Sequence, residues 1–182
     1  MSVVRKLRRY KTDLQREALY QAERSISSMP YFRPQMTRAQ TVRLIKRVRK
    51  QYALVPIKLR VMSSELPTVD VGRTDVLFDA ETGELFEVTI STNPDKHGMN
   101  PLLILHELAH VICDQHHGPR LQDHCKEMVG ILIWLYDQYH LIPEDAFRLI
   151  LRRYKVRHKS MTESSPAAIT GGTLRKASLH RA

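Results

Sequence analysis

Two histidines and a glutamate, His106, Glu107 and His110, stand in the pattern H-E-x-x-H within an apolar stretch of the chain. At helical spacing, residues i and i+4 lie about 40° apart on one face, so both imidazoles can reach a single metal ion. The glutamate projects about 100° away from the first histidine, which leaves it free to hold a water molecule. Two imidazole ligands and a carboxylate base form the combination used in metal-assisted hydrolysis.

The stretch around these residues predicts a buried helix. Asn100 and Pro101 supply an N-cap and a proline at the first helical position, and Gly118 suits the position just after the last turn. We therefore expect the helix to run to about Gln115. From Pro101 to Ile112, apart from the three motif residues, it is apolar on every face, which is typical of a buried helix. Buried imidazole and carboxylate groups are costly unless they are paired or bind a metal, so the pattern favours a metal site.

A catalytic zinc ion usually has three protein ligands, and the third is expected after this helix. The spacing alone leaves four candidates open. His116 and His117 stand beside the glycine that ends the helix, whereas His124 and Glu127 can face the site from the following helix. The two cysteines, Cys113 and Cys125, are interpreted as small apolar residues of packed helices.

The run His106-Glu-Leu-Ala-His110, followed by His117-Gly-Pro-Arg-Leu121, resembles the SprT-like zinc metallopeptidases. In that family H-E-x-x-H is followed by a histidine in an H-G-x-x-F-like turn, and Leu121 stands where an aromatic residue is usual. The resemblance implies one Zn²⁺ per chain, held by His106, His110 and His117. It also implies hydrolysis of peptide bonds by a zinc-activated water, with Glu107 as the general base.

Hydrolysis of a peptide also needs a donor to the developing oxyanion and a place for the substrate. Candidates for the donor are His97, His124, Tyr136 and His140. The edge of the strand predicted at residues 85–90 could hold an extended peptide by strand addition.

The order of predicted elements indicates an α+β fold. Helices are expected at residues 3–25, from Thr37 with a capping box, at 101–115, 119–138 and 143–157, with a strand at 55–62 and a hairpin at 75–90. We expect a small zincin-like domain in which an antiparallel sheet packs against the active helix. The expected divisions are a basic helical arm at 1–36, the metallopeptidase domain at 37–158 and a basic disordered tail at 159–182.

The net charge of +10 is distributed unevenly along the chain. Residues 1–60 hold 16 Lys/Arg against 3 Asp/Glu, residues 61–151 hold 5 against 15, and residues 152–182 hold 8 against 1. Basic segments of this kind often bind polyanions. Besides a protein or peptide substrate, we therefore expect nucleic acid or another polyanion as a partner.

No apolar run approaches the roughly 20 residues of a membrane span, and no signal peptide is recognisable after the basic first ten residues. Two cysteines do not make a disulfide framework. These features predict a cytoplasmic protein that does not enter the membrane.

Two other functions stay open. The zinc fold could be a non-catalytic module in a larger assembly, such as a virus or phage particle, with the chain as a virion component. Alternatively, His106, His110 and His116 match the H-x₃-H-x₅-H spacing of zinc-dependent nucleases of the YbeY kind. That motif lacks a glutamate after its first histidine, so Glu107 favours the peptidase.

Overall fold

The computed structural model describes residues 3–5, 13, 15–27, 35–62, 72–79, 81–93, 99–118 and 123–159. Five helices and four strands lie in these ranges. In chain order they are β1 (Val3–Arg5), α1 (Arg16–Ser27), α2 (Arg38–Gln51), β2 (Ile57–Val61), β3 (Gly72–Asp79), β4 (Leu85–Thr92), α3 (Pro101–His117), α4 (Lys126–Gln138) and α5 (Glu144–Arg153). The fold is therefore mixed, with helices packed on a small sheet, as the α+β prediction required.

The ends of α2 and α3 follow from local sequence. Thr37 caps α2 through a complete capping box with Gln40. Asn100 caps α3 by accepting a hydrogen bond from the backbone N–H of Leu102, with proline at the first helical position. Gly118 ends α3 with a φ of 69°, a conformation that glycine adopts without the steric cost of a Cβ. The predicted starts of α2 and α3 and the glycine stop are thus confirmed.

The sheet has the strand order β1-β3-β4-β2. The predicted hairpin is confirmed as the antiparallel pair β3 and β4, and Gly83 lies in its turn with a φ of 71°. The expectation of a wholly antiparallel sheet was wrong, because β2 pairs with β4 in parallel. The chain alternates direction from β2 to β3 to β4, but β2 lies beside β4 instead of its sequence neighbour, so the two strands run the same way. This order depends on long-range pairing and is not encoded by a local pattern.

Three other boundaries differ from the sequence prediction. Val3–Arg5 forms a strand against β3, whereas the expected first helix covered residues 3–25. Adjacent β-branched valines favour a strand when a partner strand is present. Helix α4 begins at Lys126, later than its expected start at residue 119. Helix α5 ends at Arg153, before its expected end at residue 157.

Helices α3 and α4 occupy the centre of the molecule. Most of their side chains are buried, including Ile104, Leu108, Ile131 and Leu135 at 0% exposure. Leu19, Ala22 and Ile26 of α1 belong to the same buried cluster, so the N-terminal helix packs against the core that carries the H-E-x-x-H motif. The expected tail beyond residue 159 lies outside the described residues. Within the described ranges, no helix combines the length and apolar character needed to cross a membrane.

Candidate metal centre

Helix α3 presents His106 and His110 on the same face, one turn apart. Their Nε2 atoms are 3.2 Å from each other. His106 is 2% exposed, and His110 is half-buried. The predicted placement of these two imidazoles toward one point is therefore found in the structure, and it follows from the i, i+4 spacing on a regular helix.

The third member of the cluster is His124, which lies in the turn just before α4. Its Nε2 atom is 3.2 Å from Nε2 of His106, and its side chain is 4% exposed. The ligand atoms of His106, His110 and His124 all lie within 4.8 Å of one another and could hold a metal ion. In a tetrahedral zinc site with Zn–N distances of about 2.0–2.1 Å, the nitrogens are about 3.3–3.4 Å apart. The two measured separations of 3.2 Å are close to that spacing.

The other ring nitrogens of two of these histidines are held by carboxylates. His106 Nδ1 is 2.9 Å from Glu23 Oε1, and His124 Nδ1 pairs with Asp13 Oδ2. Because a carboxylate only accepts hydrogen bonds, each ring keeps its proton on Nδ1 and, when neutral, directs the lone pair of Nε2 into the cluster. Lone pairs that face one another repel unless a cation lies between them. The donor set therefore suits a metal ion that binds neutral imidazole.

The charges around His106 oppose the effect of burial on its pKa. Burial lowers the pKa of His106, but the carboxylates of Glu23, Glu107 and Asp13 together outweigh this effect, and the pKa is raised overall. Burial raises the pKa of Asp13. The pKa nevertheless falls below its ordinary value, mainly because His124 donates a hydrogen bond to the Asp13 carboxylate. In the absence of a metal ion these carboxylates favour a positive charge on the imidazole cluster, which is the charge a bound cation would supply.

Glu107 lies beside the histidine cluster but is not one of its ligand atoms. Its side chain is 6% exposed, and its Oε2 atom accepts a 2.6 Å hydrogen bond from the hydroxyl of Thr74 on β3. Burial raises the pKa of Glu107, while the charge of His106 and the Thr74 hydrogen bond oppose that shift. A carboxylate with a raised pKa is a stronger base than an exposed one, as a general base requires.

Tyr20 of α1 covers the cluster. Its ring centroid is 5.6 Å from that of His106 and 5.3 Å from that of His124. Burial, followed by the nearby charge of Glu107, raises the pKa of Tyr20 to about 12, so the phenol keeps its proton at neutral pH. The hydroxyl interacts with the side chain of Arg16 and, as a protonated phenol, can still donate one hydrogen bond.

His117, the expected third ligand, is not part of the cluster. It is the last residue of α3, seven residues after His110, and at about 1.5 Å per residue it lies roughly 10 Å further along the helix axis. The resemblance to SprT-like peptidases implied His117 as the third ligand. In the structure His117 lies at the end of α3, and His124 is the third member of the cluster.

The remaining candidates for the third ligand are also elsewhere. His116 has a buried Nε2 atom without a hydrogen-bond partner among the described residues, and burial lowers its pKa to about 4. Glu127 forms an ion pair with Lys159 at 3.3 Å. Cys113 and Cys125 do not form a disulfide, their sulfurs are 3.8 Å apart, and Cys125 caps α4. The spacing His106, His110 and His116, which suits a nuclease, is therefore not assembled in space.

The expected oxyanion donors are not arranged as a group. His124 belongs to the histidine cluster, and Tyr136 is fully buried with its hydroxyl 2.5 Å from Glu23 Oε1. His140 is exposed just beyond α4 with a φ of 53°, and His97 lies outside the described residues.

Four side chains near the site were missed by sequence reasoning: Asp13, Tyr20, Glu23 and Thr74. One signal was available for two of them. Residues 1–60 contain only three acidic side chains, and Asp13 and Glu23 are two of the three. An acidic residue within a strongly basic segment indicates a specific partner. Thr74 carries no such signal, because its role comes from the packing of β3 on α3.

Comparisons with models of protein families, with curated proteins and with solved structures found no match to this chain.

Proposed function

We propose that this chain is a zinc-dependent metallopeptidase with a zincin-like site. The observation that carries the proposal is the convergence of three imidazole Nε2 atoms next to a buried carboxylate that is not itself a ligand. Three protein ligands leave one position of a tetrahedral metal for water or substrate, which is the arrangement of catalytic zinc sites. The proposal rests on this cluster and on Glu107, since His117, the ligand implied by the resemblance to SprT-like peptidases, is not part of the cluster.

In this proposal His106, His110 and His124 hold one zinc ion. When bound, the ion supplies Lewis acidity, which lowers the pKa of water and polarises a carbonyl oxygen. Two observations support the fit of zinc to these ligands. The Nε2 atom of His106 is 3.2 Å from those of His110 and His124, and carboxylates fix the Nδ1 protons of two of the rings.

Glu107 acts as the general base. Its carboxylate takes a proton from the attacking water and passes it to the amine that leaves when the peptide bond breaks. Thr74 holds one oxygen of this carboxylate, which leaves the other oxygen for the water. Tyr20 donates a hydrogen bond to the oxygen of the attacked carbonyl, a role supported by its place over the cluster and by its protonated state.

The place for an extended substrate differs from the one expected from the sequence. From Val88 to Thr92, β4 is paired on both sides, with β3 and with β2, so it offers no free edge there. On its outer side β3 pairs with β1 only from Leu77 to Asp79. Among the described residues, the segment 72–76 has no strand on that side, and it includes Thr74 next to Glu107. We assign the substrate backbone to this edge.

A second candidate function is a structural metal site in an assembly protein. The deep burial of His106, Glu107 and His124 favours it, since a structural site needs no access for a substrate. The two candidates differ in turnover but not in metal content.

The test is a peptidase assay on protein with a measured zinc content. The peptidase proposal expects cleavage of a mixed peptide library, its loss on chelation, and its loss in Glu107→Gln with the zinc retained. Full zinc occupancy without cleavage of peptides or unfolded protein would favour the structural site. The absence of zinc after expression in zinc-replete medium would contradict both the peptidase and the structural zinc site.

A further inference from the structure

Helix α1 and the residues just before it reach the metal cluster from a segment that sequence analysis assigned to a basic arm. Asp13 pairs with His124, and Glu23 pairs with His106. We infer that this N-terminal segment is a working part of the metal centre, with Glu23 and Asp13 as positioning residues for two of the three ligands. The inference rests on the metal site of the proposed function.

Glu23 is bound on two sides within the protein. Its Oε1 atom accepts a 2.5 Å hydrogen bond from the hydroxyl of Tyr136 and lies 2.9 Å from His106 Nδ1. Tyr136 is 0% exposed, so its hydroxyl is fixed by the packing of α4. The carboxylate therefore stands in one position and sets the ring orientation of His106. Hydrogen bonds of this type also raise the basicity of a metal-bound histidine.

The segment before α1 holds His124 at two points. Asp13 pairs with the ring, and the side-chain amide of Gln15 donates a 2.7 Å hydrogen bond to the backbone carbonyl of His124. Gln15 is itself held by the backbone N–H of Arg157, at 2.6 Å. His124 lies in a turn, where no helix fixes its direction. These contacts explain how a ligand outside α3 comes to within 3.2 Å of His106 Nε2.

Charge gives a second reason for the same assignment. Asp13 and Glu23 have side chains that are only 13% and 15% exposed, and the two histidines that they contact are almost fully buried. Buried carboxylates are costly unless a positive charge lies nearby. A divalent cation on neutral imidazoles matches the two negative charges. Metal binding and the docking of α1 should therefore stabilise each other, because such coupling is reciprocal.

The experiment compares Glu23→Gln and Asp13→Asn with Glu17→Gln in the full chain. Glu17 lies on the same helix with a side chain that is 68% exposed, so it is a matched control for the loss of one negative charge. Zinc affinity is measured by competition with a chromophoric chelator, and the ligand field is followed by the visible spectrum after cobalt substitution. Unfolding of each metal-free protein by urea is the stability control.

We expect each of the two variants to bind zinc about 10–100-fold more weakly and to show a shifted cobalt spectrum, while Glu17→Gln matches the original protein. The free energy of unfolding of each metal-free variant should fall by less than its zinc-binding free energy, because without the divalent ion the lost carboxylate interacts only with an imidazole. If the parent binds zinc and both variants bind it equally well, the inference fails and the proposed function stands. A loss of affinity that is matched by a loss of metal-free stability would also overturn it, because α1 would then act only as packing. If the parent binds no zinc, both this inference and the proposed function are overturned.

Discussion

The hydroxyl of Thr74 donates a 2.6 Å hydrogen bond to Oε2 of Glu107, across the contact between β3 and α3. The same hydroxyl is 3.4 Å from the backbone oxygen of Glu107. One strand residue thus fixes the side chain of the proposed general base at the point where the sheet meets helix α3. This hydrogen bond connects the fold to the chemistry more directly than any feature of the H-E-x-x-H motif alone.

Replacing Thr74 by valine should lower the peptidase rate without removing zinc. Valine keeps the β-branched shape but cannot donate, so Glu107 loses one charge-assisted hydrogen bond. A bond of this kind is worth about 1.5 kcal/mol or more, which corresponds to roughly a tenfold fall in kcat. Glu107→Gln should cost about 10²–10⁴-fold, the range for a lost general base. Both are measured by steady-state kinetics at matched zinc content.

Thr89→Val, on the neighbouring strand β4, is the control for a hydroxyl removed from the sheet. It should leave kcat unchanged. If Thr74→Val and Thr89→Val behaved alike, Thr74 would have no part in holding the base.

Tyr20→Phe should reduce kcat by about 10²-fold, the lower end of the range for removal of one oxyanion donor. The ring that packs on His106 and His124 is preserved, so zinc content should not change. Because the pKa of Tyr20 is about 12, the hydroxyl is a donor throughout the neutral range. Tyr154→Phe, at the end of α5, serves as the comparison. An unchanged kcat in Tyr20→Phe would leave the ring as a cover for the site and nothing more.

His124→Ala should abolish stoichiometric zinc binding, as His106→Ala and His110→Ala should. Since loss of an outer-shell partner already costs about 10–100-fold in metal affinity, loss of a ligand should exceed about 100-fold. His117→Ala should retain zinc, because His117 lies at the far end of α3. Elemental analysis of the purified variants decides the matter. Normal zinc in His124→Ala together with its loss in His117→Ala would restore the ligand set that the family resemblance implies.

The sequence predicted His106, Glu107 and His110 because one helix carries all three. Their relative positions depend only on helical geometry, and the capping residues Asn100 and Gly118 made that helix recognisable. A local pattern of this kind can be read without knowledge of the rest of the fold.

His124 and Thr74 could not be assigned in that way. Their positions come from the packing of α4 and β3 on α3, and the pairing of β2 with β4 is equally non-local. The resemblance to SprT-like peptidases implied His117 as the third ligand. A local motif cannot show which later histidine the packing of α4 brings to His106 and His110, and in the structure that residue is His124.

His116 should make the protein less stable as the pH falls below neutral. Burial lowers its pKa to about 4 from an ordinary value of 6.5, so the unfolded chain binds the proton first. The contribution of neutral His116 to the free energy of unfolding is complete above about pH 6.5 and is lost progressively between about pH 6.5 and 4. His116→Phe removes this titration, so its stability should fall less than that of the parent between about pH 7.5 and 5. Urea unfolding at both pH values measures the difference.

His140→Gln is the control, since His140 is exposed. A His116→Phe variant with the same pH dependence as the parent would show that His116 is protonated as easily in the folded state as in the unfolded chain.

Helix α2 should bind nucleic acid or another polyanion in a salt-dependent manner. It carries six exposed basic residues and no acidic residue along a length of about 21 Å. They are Arg38, Arg43, Lys46, Arg47, Arg49 and Lys50. Binding through such a face is dominated by the release of counterions, so it should be indifferent to sequence and fall steeply between about 50 and 200 mM salt.

The variant that tests this face replaces Arg43, Arg47 and Lys50 by glutamine. The logarithm of the binding constant should then depend less steeply on the logarithm of the salt concentration, by up to about 0.9 for each phosphate that the variant no longer neutralises. Deletion of residues 160–182 removes the same number of basic side chains, Arg175, Lys176 and Arg181, and is the matched comparison. It should weaken binding less, because a folded helix holds its charges at fixed spacing.

Both proteins should keep their zinc, since the cluster lies on α3 and before α4. Fluorescence anisotropy with duplex and single-stranded DNA and RNA measures the affinity. If the parent does not bind any of them at about 50 mM salt, the basic face of α2 has no role in nucleic-acid binding.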